Sequence, residues 1–273
     1  YRIIRESEYV FLGGTNLLYS HVESGMNWLL SRNRFFYAFP KIKNVILLGV
    51  GYAKYDGPMS WKSKLFYNKL LSRTHLHSVR DSYTKNKMND ILARDNILNT
   101  SCPTTWSLHG YDPNRKKRNI KNCLFMLTDY SKDSACDENM ITAILGLYTD
   151  KIYFFPQGIA DEEYLKSLDV YKKNKARINI LERDINVLNN VLLDDINYIG
   201  TRLHGGIMCL SRGVDSLIIS VDNRAIEIAN DINLPTIKRG QESRITEWHD
   251  MRIKFKNIEL PIDSIRKWTN QWR

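Results

Sequence analysis

The chain has 273 residues, 43% of them apolar, and carries 40 Lys and Arg against 30 Asp and Glu, a formal net charge of +10. That apolar content fills one large core or two ordinary ones, and two domains is our reading. The sequence holds no run of about 18 apolar residues, the length that crosses a bilayer, the opening YRIIRESEYV lacks the regions of a secretory signal, and the basic balance calls for an anionic partner, whether phosphorylated substrate, acidic lipid surface or nucleic acid. Cys102, Cys123, Cys136 and Cys209 lie far apart with no CxxC pair and no histidine at zinc-ligand spacing. They read as free thiols of a reducing compartment, with no metal site.

Taken in order, Tyr9 to Leu12 is a short β-type run ending on Gly13, Gly14, Thr15 and Asn16. Paired glycines let a backbone approach a ligand or simply turn tightly. Phe35 to Phe39 reads as a further strand, and VILLGVG from Val45 has the unbroken apolar character of a strand buried on both faces of a parallel sheet. A helix is expected over LFYNKLLSR. The strand LHSVRD then delivers Ser78, Arg80 and Asp81 to its carboxyl end, with Ser82 as a helix cap. Arg80 either pairs with Asp81 or serves as a cation at the end of a strand. The stretch holding Arg115, Lys116, Lys117 and Arg118, with Pro and Gly nearby, is the expected interdomain linker.

From Cys123 a second series begins: strand CLFMLTD, helix ENMITAILGLYTD, strand KIYFFPQG ending at Gln157, and helix ADEEYLKSLDVYKKN with early acids and late lysines to match its dipole. After helix INVLNNVLL comes INYIGTRLHGGIMCLSRGVDSLIIS, which reads as strand, loop, helix and strand. A loop at the carboxyl end of a strand in an open α/β sheet is where ligands bind, and the following helix start offers unpaired N–H groups. Arg202 and His204 in that loop make an anion site beside an acid/base group, or else Arg202 pairs with an internal carboxylate and His204 caps the helix. Asp222, Asn223 and Arg224 open the next helix. ITEWHDMRIKFKN and SIRKWTNQWR read as helical, with Ile265, Trp268 and Trp272 on one face. The alternation predicts two doubly wound α/β domains.

Several motifs together resemble the polysaccharide pyruvyl transferase family: FLGGTNL at 11–17, LLGVG at 47–51, SVRDSYT at 78–84, SCPTTW at 101–106, FFPQG at 154–158, GTRLHGGI at 200–207 and VDNR at 221–224. The resemblance implies an α/β fold of two Rossmann-like domains facing a cleft, GT-B-like, with the first domain here lacking its opening βα unit. Residues 1–115 would form the acceptor-side domain, 119–257 the donor-side domain, and 258–273 a helix packing back on the first. Where family members often carry Lys after the last strand this chain has Arg224, which keeps the charge and changes its geometry.

The implied reaction moves a carboxyethylidene group from phosphoenolpyruvate to a sugar of a cell-surface polysaccharide or its lipid-linked precursor, as a ketal across two hydroxyls. The residues suit it. A phosphate and a carboxylate need separate cations, for which Arg80, Arg202 and Arg224 are the candidates, with Gly205 and Gln157 beside them. His204 is the candidate for moving protons, with Arg202 assisting departure of phosphate. Gly13, Gly14, Thr15 and Asn16 are the acceptor-side candidates. Phosphoenolpyruvate is a substrate, and no cofactor is expected. The expected setting is cytoplasmic, with peripheral contact at an acidic inner membrane face and no nucleic acid, because the basic residues do not interleave with aromatics in a recognisable module. The alternatives are a GT-B-like glycosyltransferase using a nucleotide sugar, and a noncatalytic glycan- or protein-binding member.

Overall fold

The structure is a computed structural model, and it describes residues 6–14, 16–22, 44–92, 95–114 and 120–273, with the backbone alone for 90–92. Thr15, the strand expected over Phe35 to Phe39, and the linker cations Arg115, Lys116, Lys117 and Arg118 with their domain boundary lie outside the described residues. Backbone contacts divide the chain into two compact units, residues 1–106 with 260–273, and residues 107–259.

In the first unit, β1 (Val10–Gly13) pairs in parallel with β3 (Val45–Leu48), and β2 (Asn16–Leu18) with β4 (Gly51–Tyr52). The apolar run from Val45 is therefore interrupted rather than continuous: Gly49 takes a φ of +62° and a Cβ there would meet Pro103 Cδ at 2.3 Å, so glycine alone fits the turn. Helix α1 (Trp61–Leu70) is capped by the Ser60 hydroxyl. β5 (His77–Val79) and β6 (Ile97–Asn99) pair in parallel around α2 (Ser82–Leu92). The cap of α2 is Asp81, whose Oδ1 accepts from the Thr84 N–H at 2.7 Å, and not the expected Ser82.

The second unit contains a six-stranded parallel sheet in the order β12–β11–β10–β7–β8–β9. Its strands are β7 (Asn122–Met126), β8 (Ile152–Phe154), β9 (Ile178–Ile180), β10 (Ile196–Gly200), β11 (Ser216–Ser220) and β12 (Thr236–Lys238). The central β10 and β11 are buried along their whole length, as continuous apolar strands covered on both faces should be. The connections carry α3 (Ser134–Leu147), α4 (Asp161–Ser167), α5 (Asp169–Asn174), α6 (Ile185–Val191), α7 (Leu203–Ser211) and α8 (Asn223–Ile232). The single helix expected over residues 160–174 is two, because Leu168 is extended, with ψ at 137°. Beyond β12, helix α9 covers only Arg244–His249, so the helix expected over residues 245–257 stops short, and Ile253 to Leu260 has no helical structure. That segment is held by its backbone instead: Gly110 N–H donates to Ile258 O at 3.1 Å, and Ile258 N–H to Tyr111 O at 2.9 Å.

The last helix, α10 (Ile262–Asn270), belongs to the first unit. Its Trp268 is buried against Ile46, Leu98 and Trp106. Trp272, just past the helix, stacks on His75 with ring centroids 5.5 Å apart. Among the described residues no helix is long and apolar enough to cross a membrane.

Candidate active site

The strand order of the second unit reverses between β7 and β10, which grow outward in opposite directions from the middle of the sheet. In open α/β sheets ligands bind in the crevice beyond the carboxyl ends of the strands at such a reversal. Two loops leave that point: Leu127 to Ser131 after β7, and Thr201–Arg202 after β10. The strand–loop–helix stretch that carries Arg202 and His204 therefore sits at the switch point.

Its backbone is packed with little freedom. A Cβ on Gly200 would lie 2.7 Å from Met126 O and 2.9 Å from Met126 N, so a side chain there would force β10 away from β7. Gly206 would meet Ile218 Cγ1 at 2.4 Å, and Gly205 would meet Met126 Sδ at 2.5 Å. Gly205, a candidate for donor binding, is thus buried at a helix-to-strand contact. The Tyr198 hydroxyl donates to the Arg202 carbonyl at 2.8 Å and fixes the turn from below.

Arg202 is the N-cap residue of α7, without a side-chain cap bond, and its guanidinium turns toward the β7 and β8 loops. Nε donates to Leu127 O at 2.8 Å, and Nη2 donates to Asp129 Oδ1 at 2.7 Å and to Asp161 Oδ1. Asp161 has 0% exposure and also accepts from the N–H groups of Asp129, at 3.1 Å, and Gly158, at 2.6 Å. Five donated bonds thus satisfy the interior half of the site. A Cβ on Gly158 would stand 2.7 Å from Arg202 Nη2 and 3.3 Å from both Asp161 carboxylate oxygens, so a side chain there would shift the guanidinium. Gln157 is exposed next to it.

Arg224, in the first turn of α8, reaches the same place from β11. Its Nε donates to Asp222 Oδ2 at 2.9 Å, while Asp222 Oδ1 caps the helix by accepting from the Arg224 N–H at 3.0 Å. Burial acts to lower the Arg224 pKa, but the Asp222 bond and charge outweigh it and raise the pKa above the ordinary value. Arg224 Nη2 donates to the Tyr130 hydroxyl. The Tyr130 ring centroid lies 5.2 Å from Arg202 Cζ and 5.6 Å from Arg224 Cζ, within cation–π range of both. Tyr130 escaped the sequence reading because one tyrosine in a polar loop carries no local signal.

His204 is exposed on the first turn of α7, two residues past the N-cap. The geometry thus brings Arg202, Arg224 and His204 to one end of the sheet and commits Arg202 to internal carboxylates as well. Arg80 is placed differently: 3% exposed, it donates from Nε to Asp81 at 3.1 Å and from Nη2 to Asn16 Oδ1 at 2.7 Å, and lies against Gly51. Its bonds tie the Gly13, Gly14 and Asn16 turn to the end of β5 inside the first unit. Gly14 takes a φ of +58°, and its N–H donates to Leu48 O at 2.9 Å.

A cavity of about 1080 Å³ also lies in the second unit, lined by Lys121, Thr149, Asn197 and Trp248 among others. Lys121 and Asn197 mark the start of β7 and β10, so this cavity is at the end of the sheet opposite the arginines. Among the described residues no group of three or more His, Cys, Asp or Glu is arranged to hold a metal.

A family model for polysaccharide pyruvyl transferase matches residues 1–223, from the start of the chain to the first residue of α8. The chain belongs to the polysaccharide pyruvyl transferase family. As a pyruvyl transferase family member it is an enzyme, a transferase acting on polysaccharide. No curated protein sequence matches it. Among solved structures this pyruvyl transferase is similar to Methanocaldococcus jannaschii UDP-GlcNAc 2-epimerase, solved in complex with UDP-GlcNAc and UDP, at 12% identity and a TM-score of 0.59, covering 99% of this chain and 77% of that one. It is also similar to S. aureus MnaA, solved with UDP, at 14% identity and a TM-score of 0.50, covering 83% of this chain and 68% of that one. At those identities the likeness shows the fold, which is α/β and GT-B-like.

Proposed function

We propose that the chain transfers the carboxyethylidene group of phosphoenolpyruvate to two hydroxyls of a saccharide, releasing inorganic phosphate. The observation that carries this reading is the pairing of two guanidinium groups, Arg202 and Arg224, around Tyr130 at the strand switch point, with His204 exposed on the adjoining helix turn. Each arginine has one nitrogen, Nη1, that donates to nothing among the described residues. Phosphoenolpyruvate offers two separate anionic groups, and charge-assisted bonds from two forks suit them.

The chemistry balances as follows. One sugar hydroxyl gives up its proton and bonds to C2 of the enolpyruvate, while C3 gains a proton and becomes the methyl group. The second hydroxyl then bonds to C2 as the C2–O bond to phosphate breaks, and its proton leaves with the phosphate. His204 is the group assigned to carry the proton between hydroxyl and C3, because imidazole titrates near neutral pH. Arg202 and Arg224 stabilise the charge gathering on the departing phosphate. Arg80, closed off by Asp81 and Asn16, holds its own turn, so the donor is left to the other two arginines. The net charge of +10 fits a cytoplasmic protein that meets a lipid-linked acceptor at an acidic membrane face.

The two UDP-bound neighbours favour a second reading, in which the same arginines hold the diphosphate of a nucleotide sugar. Reaction in heavy water separates the two. Pyruvyl transfer puts one solvent deuterium into the methyl group of the ketal, whereas transfer from a nucleotide sugar forms no ketal and labels no methyl group.

A further inference from the structure

Tyr130 is an exposed aromatic residue, with 60% of its surface open, yet it is held on every side of its backbone. It sits in a 3₁₀ turn, Asp129–Ser131, between two anchors. On one side the Asp129 N–H and side chain are bound by Asp161 and Arg202. On the other, Arg239 Nη1 donates to Ser131 O at 2.7 Å while Nη2 donates to the buried Asp137 at 3.0 Å. The Tyr164 hydroxyl completes that anchor by donating to Asp137 Oδ2 at 2.5 Å. A clamped loop that displays a ring to solvent between two guanidinium groups does not serve the core.

Resting on the pyruvyl transfer reading, we infer that Tyr130 is a positioning residue that spaces Arg202 and Arg224 so that each meets a different anionic group of one ligand. The ring is a spacer of fixed size: like charges repel, and a π face lets two cations approach a common body without touching each other. Its hydroxyl, accepting from Arg224 Nη2, sets the rotation of that fork, whose Nη1 donates to nothing among the described residues. The ligand class this selects carries two anionic groups, such as phosphoenolpyruvate or a nucleoside diphosphate, over a single anion.

The test is calorimetric titration of wild type, Tyr130→Phe and Tyr130→Ala with phosphoenolpyruvate, UDP and inorganic phosphate. Tyr130 is largely exposed, so both variants should melt as wild type does. Tyr130→Ala should weaken the bound two-anion ligand by at least about tenfold, and inorganic phosphate, which needs one fork only, by less than about threefold. Tyr130→Phe, which keeps the ring, should fall between. Should UDP bind with this dependence and phosphoenolpyruvate not bind, the spacing role stands and the pyruvyl reading fails. Phosphoenolpyruvate bound equally by wild type and Tyr130→Ala, or phosphate weakened as much as phosphoenolpyruvate, overturns the spacing role and leaves the reading intact. No binding of either two-anion ligand by the wild type overturns both.

Discussion

Arg202 donates to Asp161, a carboxylate with no exposed surface, so a residue expected to greet a ligand is also the lid on a buried charge. Removing the guanidinium would strand Asp161 with only its two backbone donors. Arg202→Ala is therefore expected to lose about 3–5 kcal/mol of stability, the usual cost of breaking a buried pair from one side. Arg202→Lys keeps a cation and should lose less, while donor affinity falls because a point charge cannot serve Leu127, Asp129 and the ligand together. Urea denaturation read beside a phosphoenolpyruvate titration checks both; an Arg202→Ala protein as stable as wild type would remove Asp161 from the account.

His204 separates chemistry from binding. His204→Asn should lower turnover by roughly 10²- to 10⁴-fold by loss of proton transfer, with phosphoenolpyruvate affinity nearly unchanged because the arginines carry it. A single-turnover assay at saturating donor makes the comparison. Near wild-type turnover in His204→Asn would take the histidine out of the mechanism.

The glycines on either side of the β10–α7 turn differ in what surrounds them. Gly200→Ala pushes a Cβ into the Met126 backbone and should cost roughly 1–3 kcal/mol as an overpacked contact. Gly205→Ala meets the flexible end of Met126 and should cost less. Thermal melts of the two variants decide it, and a reversed order would contradict the packing described.

Much of this arrangement is readable from residues alone, and the failures have a physical pattern. The long apolar strands β7, β10 and β11 are central and buried on both faces, so their sequences announce them. Strands β6, β9 and β12 have three residues each and escaped the reading. β9 and β12 are the edges of the six-stranded sheet, and a strand that short shows neither an apolar run nor alternation. Arg202 and His204 were legible because glycines, a strand and a helix frame them locally. Tyr130, Asp161 and Arg239 were not, because each acts through a partner dozens of residues away, as in the 73 positions between Arg202 and Asp129.

Asp133 supplies a pH signature. It caps α3 by accepting from the Cys136 N–H at 3.1 Å, and that bond above all holds its pKa below the ordinary value of 3.8. A depressed carboxylate contributes stability that is fully present above its unfolded pKa and is lost as pH falls through the folded one. The stability gap between wild type and Asp133→Ala should therefore be constant above about pH 5 and shrink below pH 3.8. Denaturation curves across that range would contradict the cap if the gap widened with acid.

The central claim is that phosphoenolpyruvate is the donor. The direct measurement is release of inorganic phosphate from phosphoenolpyruvate across a panel of saccharide acceptors, run beside release of UDP from UDP-sugars on the same panel. The account predicts phosphate release that depends on an acceptor with two neighbouring hydroxyls, a ketal in the product, and no UDP release. Acceptor-dependent release of UDP, with phosphoenolpyruvate left intact by every acceptor, would contradict it.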